Sequence, residues 1–89
     1  MENIPRIKSI VPTGHFQLVV RFENGDEKIY DCAPLLSRDE FQLLKTPAFF
    51  RTVQVDSGGY GISWNDKIDL SEYELWTNGI PINKATRNV

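Results

Sequence analysis

A single dipeptide constrains the fold of this chain more than any other feature. Asn24-Gly25 separates two runs of extended character, residues 16–22 and 27–31. In the first run Phe16, Leu18, Val20 and Phe22 alternate with Gln17, Val19, Arg21 and Glu23. Period-two alternation puts the apolar set on one face of a sheet. Asn-Gly between two such runs is the strongest short hairpin signal, because both turn residues then take positive φ. A loop of those two residues sets Val20 opposite Ile29, Val19 opposite Tyr30 and Arg21 opposite Lys28. The last pairing is unfavourable, and neighbouring Glu23 and Glu27 are placed to screen it.

A first strand is expected over residues 6–11, where Ile7, Ile10 and Val11 favour an extended chain and Pro12-Thr13-Gly14 ends it. After the hairpin the period changes. Ser37-Arg38-Asp39-Glu40 reads as a capping box, and Phe41, Leu43 and Leu44 follow as a short apolar stripe at helical spacing. That helix must stop before Pro47. Thr46-Pro47 then reads as the N-cap and first position of another short turn through Phe50. Strand character returns over residues 52–56, Ser57-Gly58-Gly59-Tyr60-Gly61 reads as a turn, and Ile62-Ser63-Trp64 as the returning strand. Asn65-Asp66 marks a further turn before Ile68 and Leu70. Ser71-Glu72-Tyr73-Glu74 is a second capping box, opening a last helical turn with Leu75 and Trp76 that Asn78-Gly79 terminates. The order predicts an α+β fold: a small antiparallel sheet of two hairpin units with two or three short helices packed on one face. Residues 1–77 are expected to form a single domain and residues 78–89 a flexible C-terminal tail.

The chain has 89 residues, one domain's worth. Hydrophobic residues at 40% and charged residues at 25% argue against disorder, collagen and coiled coil. A net charge of −2 leaves no basic excess for a phosphate backbone. No apolar run approaches the roughly 20 residues that span a bilayer. The first five residues hold no apolar h-region, so no secretory signal is expected. A lone cysteine forms no internal disulfide, which fits a reducing cytoplasm.

His15 is the only histidine. A general base needs an orienting partner, none is nominated, and a solvated turn residue is the simpler reading. Cys32 would need a cation, a base or a helix N-terminus to become a nucleophile; a small buried hydrophobe explains it better. Asp56, Asp66, Asp69, Glu72 and Glu74 form an acidic stretch interrupted only by Lys67. Clustered carboxylates bind divalent ions, but the spacing matches no EF-hand loop, and turn and cap roles account for most of them. An acidic patch for a basic partner is a better use of that charge. Gly58-Gly59-Tyr60-Gly61 lacks the following helix of a phosphate-binding loop, so its glycines read as turn residues with positive φ. Arg6, Lys8, Arg21 and Lys28 are expected to share one face of the N-terminal strands as a thin basic stripe, usually only a solvated sheet face. Most of the ten aromatics should be core; Trp76 is the one best suited to an interface.

The ordered set Pro5 to Ile10, Leu18 to Gly25, Tyr30-Asp31, Pro34-Leu35-Leu36, Phe41, Leu44-Lys45, Pro47 to Phe50, Val53 to Asp56, Gly61 to Trp64 and Ile68-Asp69-Leu70 before Tyr73 resembles the small bacterial family DUF2442, a domain of unknown function. The resemblance runs over roughly residues 5–76. The turn after Trp64 departs from the family's more usual Asn-Gly by having Asn65-Asp66. The resemblance implies a compact α+β domain without assigned catalytic residues. Some members carry a following helix-turn-helix, for which this chain is expected to be too short; others stand alone, often encoded beside a small protein in a suspected toxin–antitoxin-like pair. These readings favour a non-enzymatic protein-interaction module, the antitoxin-like half of a small two-gene pair, with Asp66, Asp69, Glu72, Glu74 and Trp76 as the partner surface and no cofactor. The expected partners are a small protein encoded nearby and, by edge pairing, a second copy; neither membrane nor nucleic acid is expected. The alternatives are a metal-dependent hydrolase or nuclease using Asp56, Asp66 and Asp69, and a weak regulatory nucleic-acid binder.

Overall fold

The computed structural model describes residues 3–82. Within them lie strands β1 (Ile7–Pro12), β2 (Gln17–Phe22), β3 (Glu27–Asp31), β4 (Gln54–Val55), β5 (Gly61–Ser63), β6 (Asp69–Ser71) and β7 (Ile80–Pro81), with helices α1 (Pro47–Phe50) and α2 (Glu72–Asn78). Short 3₁₀ turns occupy Gly14–Phe16, Ala33–Ser37, Asp39–Lys45 and Ser57–Gly59. The fold is α+β. The two expected hairpin units belong to separate antiparallel sheets, one ordered β1-β2-β3-β7 and the other β4-β5-β6. Ile80 and Pro81, placed in the tail by sequence, pair with Ile29 and Lys28 instead. Asn78 ends α2, and the Gly79 and Ile82 N–H groups donate to Leu75 O and Glu27 O; residues 83–89 of the expected tail lie outside the described residues.

The first hairpin forms where Asn24-Gly25 places it, but with a different loop. Phe22 O accepts the Gly25 N–H at 3.0 Å, and Phe22 N–H donates to Asp26 O at 2.9 Å. This is a three-residue loop, Glu23-Asn24-Gly25, in which only Gly25 takes positive φ, at 93°. The extra loop residue shifts the register by one from the expected pairing. Arg21 now faces Glu27, Val20 faces Lys28, Val19 faces Ile29 and Leu18 faces Tyr30. The unfavourable Arg21–Lys28 pairing is thereby replaced by an ion pair, Arg21 Nη2 to Glu27 Oε2 at 2.6 Å. Leu18, Val20, Phe22 and Tyr30 face inward and are buried.

The second hairpin closes against the first sheet. Gly58 and Gly59 have positive φ, as their spacing requires. Asn65 Oδ1 accepts the Lys67 and Ile68 N–H groups and shapes the next turn. Ser71 caps α2 by accepting the Glu74 N–H at 3.1 Å, so that capping signal reads correctly. The one at Ser37 does not. Ser37 closes the Ala33–Ser37 turn and donates to Pro34 O, and the segment after it is 3₁₀, with Arg38 as its extended N-cap residue. Gln42 ties that turn by donating to Leu36 O and Arg38 O.

One core joins both sheets and the helices. Ile7, Leu18, Val20, Phe22 and Tyr30 from the first sheet meet Ile62 and Leu70 from the second, Leu75 from α2, and Phe41, Leu44 and Phe50 from the segment between. Trp64 is also buried, its indole N–H donating to Phe50 O at 2.8 Å.

Candidate functional site

The new register decides where the functional candidates go. Lys28 lies opposite Val20, so its side chain starts on the core side of the sheet. An ammonium cannot stay there without partners. Two come from α2: Lys28 Nζ sits 3.7 Å from the centre of the Trp76 ring and donates to Trp76 O at 2.5 Å. The Trp76 ring is held from another side by Phe22, edge to face, with centroids 5.0 Å apart. Both contacts are of a kind that fixes an indole orientation. So held, Trp76 walls an open cleft of about 450 Å³ lined by Gly25, Asp26, Glu27, Lys28, Pro81 and Ile82. The hairpin loop supplies its acidic lip and β7 its apolar floor.

Of the five residues expected to form the partner surface, Trp76 alone lines this cleft. Glu74 accepts a hydrogen bond from the Tyr30 hydroxyl at 2.7 Å and borders a separate hollow with Ile29, Leu35 and Ile80. Glu72 opens α2, its N–H donating to Tyr60 O, and one of its carboxylate oxygens is buried with no donor among the described residues. Asp66 and Asp69 are exposed. Asp26, Glu27, Lys28, Pro81 and Ile82 escape a sequence reading because they join Trp76 only through the loop register and the pairing of β7 with β3. The Tyr30 phenol is pushed well above its ordinary value, by burial first and then by the hydrogen bond to Glu74.

The basic stripe does not assemble. Arg21 and Lys28 stand on opposite faces of the sheet, because the one-residue register shift sends Lys28 inward. The Arg6 guanidinium lies over the Tyr60 ring, 4.3 Å from its centre. Lys8, next to the irregularity between Ile7 and Ser9, is exposed. The carboxylates do not converge either. Asp56 accepts the Ser63 hydroxyl at 2.6 Å, and among the described residues no group of three or more His, Cys, Asp or Glu side chains is placed to hold a metal ion.

His15 and Phe16 both have positive φ, 66° and 60°, strained for residues with side chains. The strain turns Phe16 inward onto Phe50, 5.5 Å between centroids, and aims Phe16 O at the Cys32 N–H, 2.9 Å away. His15 stays exposed beside a cleft of about 270 Å³ that also takes in Pro47 and Arg51. Cys32 is wholly buried. Desolvation, with Asp31 adding to it, pushes its thiol from 9.0 up to about 12, so it is a protonated core sulfur. Two outcomes follow. Native Cys32 should react with an aromatic disulfide reagent only as fast as the domain opens, while urea-unfolded protein reacts at once; rapid labelling of the native state would contradict its burial. The folded state also holds this proton more tightly than the unfolded chain. Chemical-denaturation stability should therefore be insensitive to Cys32 below about pH 9 and fall as pH rises from there towards 12.

Among the described residues no helix is long and apolar enough to cross a membrane. No curated protein and no solved structure matches the chain. The family model described as "Protein of unknown function (DUF2442)" matches residues 7–81, which takes in every described strand and both helices. By that match the chain belongs to the DUF2442 family.

Proposed function

We propose that this domain is a non-enzymatic interaction module that receives a short basic segment of a small protein in the cleft beside Trp76. One observation carries the reading: an indole already fixed by Phe22 and Lys28 forms the wall of an open cleft whose acidic lip is Asp26. A preset aromatic anchor loses little freedom on binding, and Trp is enriched where interfaces concentrate their affinity. The intrinsic cation of the cleft, Lys28, faces the ring and a carbonyl, so an arriving basic group meets the Asp26 carboxylate. Asp66, Asp69, Glu72 and Glu74 lie off the cleft and add only long-range attraction for a basic partner. The resemblance to a family some of whose members are encoded beside another small protein supports a partner from the adjacent gene, this chain being the neutralising, antitoxin-like half, acting in the cytoplasm.

The test is titration calorimetry of the full chain with the neighbouring gene product. A one-to-one complex at micromolar concentration is expected, with a change in Trp76 fluorescence. Asp26→Lys, in an exposed turn, should weaken it about tenfold without altering the fold. Absence of a complex up to about 100 μM, a ceiling weaker than most specific pairs, would overturn the reading, as would a complex indifferent to Asp26→Lys and silent in fluorescence.

A further inference from the structure

We propose that the outer face of the β1-β2-β3-β7 sheet is a docking surface for a second copy of this chain, independent of the Trp76 cleft. Residues directly opposite on paired strands point to the same face. The observed registers join Val11 to Val19, Val19 to Ile29, and Ile29 to Ile80. Their side chains alternate with the buried set of Leu18, Val20 and Tyr30, so they face away from the core. The result is an unbroken row of β-branched residues across four strands. Its ends are the most open, with Val11 53% and Ile80 69% exposed. A solvated sheet face is ordinarily polar, and a continuous apolar strip on it marks a contact surface.

The occupant follows from the arrangement of the row and its flanks. On one side of it lies the Arg21–Glu27 pair, on the other Gln17 and Asp31. A two-fold axis running along the strands between β2 and β3 lays β2 of one copy over β3 of the other. Val19 then covers Ile29, and Val11 covers Ile80. Arg21 meets Glu27 of the second copy, Glu27 meets its Arg21, and the Gln17 amide meets its Asp31. The face is therefore complementary to itself, as an isologous contact demands, in the aligned geometry of packed sheets. The perpendicular two-fold sets Glu27 over Asp31, carboxylate on carboxylate, and is disfavoured. The footprint is only about 300 Å² per copy from strand spacing and rise, well below the roughly 800 Å² of a standard interface. The dimer is accordingly weak and concentration-dependent.

Sedimentation velocity of the full chain from about 10 μM to about 1 mM tests this, the upper limit being where the weakest measurable association falls. The wild type should pass from monomer to dimer across the range. Val11→Lys and Ile80→Glu, both at exposed positions, should each weaken dimerisation about tenfold by leaving a charge against an apolar partner. The double variant should recover it, because Lys at 11 then meets Glu at 80 of the other copy. Within one copy the two positions stand on opposite edges, about 14 Å apart at ordinary strand spacing, so rescue reports the intermolecular register alone. Thermal unfolding checks that all variants are folded. A monomer at every concentration, a dimer indifferent to the single changes, or single effects without rescue would each overturn the proposal. Asp26→Lys should leave the dimer unchanged, which separates this result from the cleft reading.

Discussion

Phe22→Ala is expected to remove about 4 kcal/mol of stability, as truncation of a large, fully buried aromatic ring does. A domain of this length has only about 5–10 kcal/mol in total, so much of the population should unfold on mild heating. Two effects add. The core loses the ring paired with Ile7 across the sheet, and Trp76 loses the edge-to-face contact that orients it, a contact worth up to about 1 kcal/mol beyond its area. Lys28 then loses a fixed ring to stand against. Urea unfolding followed by far-UV dichroism measures the loss, and the melting temperature should drop by about 15–30 °C. A loss under about 1 kcal/mol would show that Phe22 does not join the sheet to α2 as described.

Gly59→Ala should cost about 3 kcal/mol, combining a left-handed conformation with a collision. Its φ is +79°, and an added Cβ would stand 2.6 Å from Ile7 O and 3.0 Å from Arg6 Cβ. Ile7 O belongs to backbone at the start of β1, so nothing flexible can give way. The Ser57–Gly59 turn must lift off β1, opening the seam where the second sheet meets the first. Gly25→Ala is the control. Gly25 has a similar φ, +93°, but nothing within 4 Å of the added atom. It should cost only the conformational part, about 1 kcal/mol. Equal losses at the two sites would show that the close approach at Gly59 contributes nothing.

The parts of this fold legible in the sequence are those determined by neighbours along the chain. The bounds of β3, the Ser71 cap, the stop before Pro47 and the left-handed glycines at 58 and 59 each depend on a few adjacent residues. What escapes depends on partners far apart. Lys28 meets Trp76 across 48 positions, and nothing near either residue announces the other. Strand β7 is two residues long and contains a proline; it exists because β3 offers an open edge, not because Ile80-Pro81 prefers to be extended. Ser37 carried a sound local signal that lost to Pro34 O and to the Gln42 bonds. Trp76, singled out by type, lines the cleft, but the walls around it come from the hairpin loop and β7.

The span Glu23-Asn24-Gly25 carries a consequence for how such chains can change over time. Surface turns ordinarily tolerate insertions and deletions. Here a one-residue slip of the closing pair, Glu23 meeting Asp26 in place of Phe22, would reverse every side chain of β3 at once, burying Glu27 and Ile29 and turning Lys28 and Tyr30 out to water. Substitutions at this exposed turn that move the closing pair should therefore be as heavily penalised as mutation in the interior, and the hairpin loop behaves as a ruler for the whole domain.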